Sequence, residues 1–112
     1  MDESHRQALS AIGLFVEKLP AEYAVAKVIL FGSRARGTPG RDSDADVAIV
    51  LRGSSGRRLP EALRMAAIAF DVLLETGVLI EALPLWEREW EHPETFSNPR
   101  LIENIRREGI VV

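Results

Sequence analysis

The sequence predicts an α/β or α+β fold in which helices cover a small β-sheet. Short apolar runs at residues 25–31, 47–51 and 78–85 have the length and composition of strands. Amphipathic segments stand beside them, which gives the order helix, strand, loop, strand, helix, strand, helix. A chain of 112 residues with 46% hydrophobic content can build one such core, so we expect a single domain over residues 1–112.

The first helix is predicted over residues 4–19, between a capping serine and Pro20. Its apolar stripe consists of Leu9, Ile12, Val16 and Leu19. The run Val25–Phe31 is short, rich in β-branched residues and ends at Gly32, which predicts a largely buried strand. We expect mostly loop over residues 34–41, with a turn of helix beginning at Ser33.

The second strand is predicted at Val47–Leu51, directly after Asp46, and a basic, glycine-containing connection follows it. A long helix then begins at Pro60 and ends at Gly77. The buried stripe predicted for this helix consists of Leu63, Ala67, Phe70 and Leu74. These residues have the spacing of one helix face, so we expect them to pack on the sheet.

The third strand is predicted over residues 78–85, with Pro84 near its end as strand chemistry requires. Two tryptophans follow, Trp86 and Trp90, and are expected to pack over the open edge of the core. A last helix begins at Asn98 or Pro99 and ends at Gly109, before a short apolar tail.

Composition excludes several classes of protein. The chain has no cysteine, which excludes disulfide scaffolds, zinc fingers and thiol nucleophiles, so any metal must have oxygen or histidine ligands. No segment approaches the roughly 20 apolar residues of a membrane span, and the polar N-terminus lacks a secretory leader. We therefore expect a cytoplasmic protein. Its net charge of -3 argues against direct binding of nucleic acid.

Asp44 and Asp46 stand two residues apart where the second strand begins. Side chains alternate along a strand, so both carboxylates can point to the same side. A divalent cation between them relieves their repulsion, and hard oxygen ligands favour Mg²⁺ or Mn²⁺, although an ordinary acidic turn has the same pattern. A calcium loop of the EF-hand type is excluded, because its glycine and glutamate positions hold Val47 and Gly53.

Gly32 and Ser33 follow a strand and can form a turn that approaches a phosphate closely, with N–H groups and a hydroxyl as donors. The spacing matches neither a Walker A loop nor a dinucleotide-binding glycine motif. Arg34 and Arg36 stand next to this turn. Six arginines and three aspartates lie between residues 32 and 58, which predicts a positive patch around the carboxylates.

Two segments together carry a family resemblance. Residues 31–37, Phe-Gly-Ser-Arg-Ala-Arg-Gly, and residues 43–47, Ser-Asp-Ala-Asp-Val, resemble the signature of the DNA polymerase β-like nucleotidyltransferases, in particular the small stand-alone minimal nucleotidyltransferase (MNT) type. The order of elements fits over residues 4–85. The tail, with its two tryptophans and the Arg-Glu-Gly of residues 107–109, is also similar to members of this group.

The resemblance implies a nucleotidyltransferase fold with a mixed sheet and assigns roles to site residues. Gly32 and Ser33 would place the nucleotide phosphates, and Asp44 and Asp46 would hold the metal ions. The family often adds a third carboxylate from the next core strand, and the matching position is Glu81, a longer residue than the usual aspartate. Phosphate oxygens would be paired by Arg34 or Arg36.

The function implied is Mg²⁺-dependent transfer of a nucleoside monophosphate, AMP from ATP, to a hydroxyl acceptor. Stand-alone members of the family often pair with a helical HEPN protein, in some cases as its antitoxin, and the oligomer is left open between homo- and hetero-oligomeric forms. Two alternatives remain. One is a weak or inactive nucleotide-binding module of the same fold, and the other is an unrelated phosphate-binding or structural protein.

Overall fold

A computed structural model describes residues 3–36, 44–53 and 56–112. The helices are α1 (Glu3–Lys18), α2 (Gly32–Ala35), α3 (Arg58–Thr76), α4 (Glu87–Glu91) and α5 (Pro99–Glu108), with a 3₁₀ turn at Pro93–Thr95. The strands are β1 (Val25–Phe31), β2 (Ala45–Leu51), β3 (Ile80–Trp86) and β4 (Ile110–Val111). The loop expected over residues 34–41 lies outside the described residues beyond Arg36.

The described strands form one mixed sheet in the order β3-β2-β1-β4. β1 pairs antiparallel with β2 and with β4, whereas β2 pairs parallel with β3 through the crossover helix α3. Pro84 is tolerated because β3 lies at the edge of this sheet. The predicted class, a small mixed sheet flanked by helices, is confirmed.

Helices cover both faces of the sheet, so β2 is buried along nearly its whole length and β1 is buried at Val28, Ile29 and Leu30. Alternate strand residues turn to opposite sides. Val28, Leu30, Val47 and Ile49 face α1 and α3, where Phe15 and Met65 complete the packing. Ile29, Ala48, Val50 and Leu85 face the other way and pack against Phe96, Ile102 and Ile105. Asp46, which is partly buried near the start of β2, therefore lies at the end of a two-sided core.

The buried face of α3 differs from the predicted one. Leu63, Phe70 and Leu74 are 62%, 52% and 71% exposed, and Ala67 is exposed as well. The residues that face the sheet are Met65, Ala69 and Val72. Both sets of residues have the spacing of one helix face, and the set with the smaller side chains is the one that packs on the sheet. The prediction of the buried stripe was wrong, and a large apolar surface is left outside.

The first helix and the C-terminal residues both pack against the rest of the fold. In α1 the fully buried residues are Ala8, Ala11, Ile12 and Phe15, with three of the predicted stripe residues only partly covered. The apolar tail is not free, because Ile110 and Val111 form β4 against Leu30 and Ile29. Gly109 allows this approach, since a Cβ there would lie 2.5 Å from Cγ2 of Ile29 on β1. None of the helices that the described residues form is long and apolar enough to cross a membrane.

A charged pair is built into the packing at the far end of β3. The Arg58 guanidinium donates to both carboxylate oxygens of Glu89, one at 3.0 Å, and to the carbonyl oxygen of Pro84 at 2.8 Å. It also stacks on the rings of Trp86 and Phe96. Glu89 in turn accepts from the Trp86 backbone N–H at 3.1 Å. The pair thus joins the start of α3 to the end of β3.

Candidate active site

Three carboxylates meet where β1 ends and β2 and β3 begin. Asp46 stands between Phe31 on β1 and Glu81 on β3 in the sheet register, and Asp44 is two residues before it. Asp46 and Glu81 are neighbours on parallel strands and turn to the face that α5 covers, since they share the parity of Ala48 and Leu85. The sheet register therefore brings together the three carboxylates selected from the sequence.

The carboxyl group of Glu81 lies within hydrogen-bonding reach of both Asp44 and Asp46. The pKa of Glu81 is raised, first by its hydrogen bond with Asp44, then by burial and by the negative charge of Asp44. Burial is the main cause that raises the pKa of Asp46, while the hydrogen bond from Glu81 opposes it. The cluster therefore favours a shared proton, with Glu81 donating to the aspartates.

Gly32 makes close contact with this cluster. Its φ of +74° lies in the left-handed region, which favours glycine. A Cβ at this position would lie 2.4 Å from Oδ2 of Asp46. Gly32 begins α2, where Ser33 is half-buried and the Arg36 N–H donates to the Gly32 carbonyl at 3.1 Å. A glycine is thus required both for the turn and for the approach of the carboxylate.

We expect Gly32→Ala to lower the free energy of unfolding by about 1–2 kcal/mol, because a side chain is strained at this φ and displaces Asp46. Chemical denaturation of the purified protein measures the change. The control is Gly13→Ala on the exposed side of α1, where a Cβ meets nothing within 4 Å and should stabilise by about 0.5–1 kcal/mol. A Gly32→Ala protein as stable as the wild type would contradict the close contact.

The two arginines beside the turn differ in their contacts. Arg36 forms an ion pair with Glu108 of α5 at 3.6 Å, and its charge acts to lower the pKa of Asp46. Arg34 donates to Oγ and to the carbonyl oxygen of Ser4 in α1, at 3.0 and 3.3 Å. Glu108 was missed as a site neighbour, although the Arg-Glu-Gly of residues 107–109 marks it. The roles of both arginines toward phosphate stay predictions.

The predicted positive patch is only partly formed. Arg52 follows the last residue of β2, whereas Asp46 lies near its first, and a seven-residue strand separates its ends by roughly 20 Å. Arg58 is at the same distant end, bound to Glu89 and to the carbonyl of Pro84. Closeness in the sequence thus misled this prediction. Among the described residues, Arg34 and Arg36 are the arginines that α2 holds on the carboxylate side.

The raised pKa values predict how stability depends on pH. A carboxyl whose pKa is higher in the folded than in the unfolded state stabilises the fold while it is protonated. Without added metal, the contribution of Asp46 and Glu81 is fully present below their ordinary values of 3.8 and 4.5 and is lost as pH rises through the raised values. We expect Asp46→Asn to flatten this decline, as thermal unfolding across pH 3 to 8 would measure. If stability depends on pH in Asp46→Asn as it does in the wild type, the Asp46 carboxyl does not contribute to this pH dependence.

The donor set suits a hard divalent cation, since carboxylate oxygens are the ligands that Mg²⁺ and Mn²⁺ prefer. Among the residues described, no three histidine or acidic side chains already form a metal cage. Glu81 instead lies within hydrogen-bonding reach of both Asp44 and Asp46. A cation replaces a shared proton in such a cluster and lets all three groups ionise.

Comparison with known proteins agrees with this architecture. A crystal structure of a Sulfolobus solfataricus protein, assigned only provisionally as a nucleotidyltransferase, is similar to the chain with a TM-score of 0.54 and 19% identity. The similarity covers 96% of this chain and 77% of that one, and at this identity it shows the fold. Curated proteins give no significant match. Residues 12–112 match the nucleotidyltransferase domain family, so most of the chain is covered. The chain therefore belongs to the nucleotidyltransferase domain family.

Proposed function

We propose that this chain is a single-domain, metal-dependent enzyme that transfers a nucleoside monophosphate, AMP from ATP, to a hydroxyl group on another molecule. The family generally uses a nucleoside triphosphate and a divalent metal. The observation that carries the proposal is the convergence of Asp44, Asp46 and Glu81 beside the left-handed turn at Gly32. A metal–triphosphate complex needs carboxylates that bind the metal ion and, next to them, a glycine turn that lets the phosphates come close to the backbone.

The roles of the residues follow from their positions. Asp44 and Asp46 would hold Mg²⁺ or Mn²⁺, and Glu81 would either complete the metal site from β3 or accept the proton of the acceptor hydroxyl. Ser33 and the backbone N–H groups around Gly32 would donate hydrogen bonds to phosphate oxygens. Arg36, which lies next to Glu108 of α5, would neutralise part of the negative charge of the phosphates. The bound metal would supply charge neutralisation for the triphosphate and for the departing pyrophosphate.

The transfer itself exchanges one phosphorus–oxygen bond for another. The acceptor oxygen forms a bond to the α-phosphorus while the bond from that phosphorus to the bridging oxygen breaks, and pyrophosphate leaves. In the second of these roles, the proton of the acceptor hydroxyl would pass to Glu81, which lies within hydrogen-bonding reach of both aspartates. Glu81 must be ionised to accept it, and a cation held by Asp44 and Asp46 favours the ionised form.

The acceptor would be presented by a partner protein. The MNT resemblance supports a small helical protein of the HEPN type in that role, with this chain as its antitoxin. A catalytically weak binding module is the second candidate, favoured by Glu81 at a position where the family usually has aspartate. The two candidates share the metal–nucleotide site and differ in whether a covalent product forms.

Labelled ATP tests the proposal. Purified chain and Mg²⁺ are incubated with an extract of its own host cells and with ATP labelled at either the α- or the γ-phosphate. We expect labelling of a discrete acceptor that depends on the added chain, with the α-label and not the γ-label, and none when Asp44→Asn replaces the wild type. Transfer of the γ-label that depends on the added chain, above the background of the extract's own kinases, would mean a kinase reaction and refute the proposal. Metal-dependent ATP binding without any transfer would favour the binding module.

A further inference from the structure

The outer face of α3 is an exposed apolar stripe. Leu59, Leu63, Phe70 and Leu74 are 68%, 62%, 52% and 71% exposed. Ala66 and Ala67 lie between them and are also exposed. These six residues, called here the outer stripe, lie opposite the sheet-facing Met65, Ala69 and Val72. A contiguous apolar surface of this kind marks an interaction site rather than ordinary solvent-exposed helix.

The outer stripe has the same spacing in both directions along the helix. Four positions separate Leu59 from Leu63, and four separate Phe70 from Leu74, with the two alanines at the centre. An antiparallel copy of the same helix would therefore place Leu59 against Leu74 and Leu63 against Phe70. The small alanines would allow the two backbones to approach at the crossing point. Such self-complementarity is what a two-fold symmetric interface requires.

Charges along one edge of the outer stripe favour the same arrangement. Arg64 lies beside its N-terminal half, with Arg57 preceding it as the N-cap of α3, and Asp71 and Glu75 lie beside its C-terminal half. Arg64, Asp71 and Glu75 have helical spacing. An antiparallel copy places Arg64 near Asp71 and Arg57 near Glu75, twice each by symmetry. In a parallel two-fold dimer this edge would instead face the opposite edge of the other helix, so these charges would not meet. The edge therefore meets itself, with opposite charges in register, in the antiparallel arrangement alone.

We propose that a second copy of this chain covers the outer stripe, forming an antiparallel α3–α3 homodimer. The existing ion pairs of this edge do not oppose it. Arg64 bonds to Glu22 at 2.9 Å and Glu75 to Lys18 at 3.3 Å, but all four side chains are substantially exposed to solvent. Exposed pairs contribute little, so exchanging or sharing them across an interface is not costly.

Sedimentation equilibrium of the purified chain tests the dimer. We expect a mass twice the 12.4 kDa of one chain. Leu63→Glu, which faces Phe70 of the other copy, should raise the dissociation constant about 100-fold or more because it buries an unpaired charge. Val111→Glu is the matched control, since Val111 is as exposed as Leu59 but lies on β4, and it should leave the mass unchanged. Circular dichroism confirms that each variant is folded.

A charge exchange identifies the register. Arg64→Glu alone and Asp71→Arg alone should each weaken self-association. An equimolar mixture of the two variants should restore it, because a mixed dimer has an opposite-charge pair at both symmetric positions. Failure of the mixture to associate more tightly than either variant would exclude the antiparallel register.

Cysteine cross-linking gives an independent readout, because the chain has no cysteine of its own. Ala67→Cys lies next to the proposed two-fold axis and should form a disulfide-linked dimer on mild oxidation. Leu59→Cys should not, since in antiparallel helices its two copies are about 22 Å apart, the rise of 15 residues. A wild-type chain that stays monomeric at all concentrations, or equal cross-linking at both positions, would overturn the proposal.

Discussion

Glu89→Ala is expected to lower the free energy of unfolding by about 3 kcal/mol, the largest loss of stability from a polar substitution that we predict. Removing Glu89 leaves the Arg58 guanidinium between Trp86 and Phe96 without its carboxylate, and it leaves the Trp86 N–H without its acceptor. Breaking a largely buried pair by deleting one partner is costly because the other charge stays in place.

Urea denaturation of the purified variant measures this effect. Glu91→Ala is the matched control, since Glu91 is an exposed glutamate of the same helix, α4, and should change stability by no more than about 0.5 kcal/mol. Equal losses in the two variants would mean that the effect comes from the helix and not from the pair with Arg58.

Asp46→Asn is expected to abolish the stabilisation of the protein by Mg²⁺ and ATP. A ligand that binds only the folded state at 100 times its dissociation constant adds about 2.7 kcal/mol, and the wild type should gain this amount. Asn cannot neutralise a divalent cation, so the variant should gain almost none. The same variant without metal should be no less stable than the wild type, because burial already disfavours the Asp46 charge.

Thermal unfolding with and without Mg²⁺ and ATP separates these two effects. Glu17→Gln on the exposed side of α1 is the control for a change of charge outside the site, and it should keep the full response. A response to Mg²⁺ and ATP that persists in Asp46→Asn would place the nucleotide elsewhere on the protein.

Much of the fold can be predicted from the sequence, because most of its elements have local signals. β1 begins and ends as its apolar run does, Gly77 ends α3 in the left-handed conformation, and Asn98 caps α5 through its bond to the Leu101 N–H. β4 has no such signal. Two apolar residues show no alternation, and their strand exists because β1 offers an unpaired edge to them.

The face of α3 could not be predicted because the helix is apolar on more than one side. Its outer stripe and its inner face both repeat at helical spacing, so periodicity alone cannot choose between them. The choice depends on which side chains fit the sheet, which is a tertiary property. The outer stripe has the apolar spacing of a core-facing surface, and the same apolar spacing makes it suited to contact a second copy.

The carboxylate site was partly predictable. The pattern of two aspartates where a strand begins locates Asp46 on β2 and Asp44 just before it, but their neighbour Glu81 depends on the parallel pairing of β2 with β3. A charged residue in an apolar strand was the local signal for it. The positions of Arg52 and Arg58 could not be predicted from the residues around them. The strand β2 lies between these arginines and Asp46, so they lie at the opposite end of the sheet from the carboxylates.

Water-proton relaxation in Mn²⁺–ATP solution tests the central claim most directly, because a protein-bound, slowly tumbling Mn²⁺ enhances relaxation more than free Mn²⁺–ATP. If Asp44, Asp46 and Glu81 hold the metal of a nucleotide complex, adding the wild-type chain should enhance relaxation. The doubly substituted Asp44→Asn, Asp46→Asn chain should leave it unchanged. Equal enhancement by both proteins would contradict a metal–nucleotide site at these carboxylates.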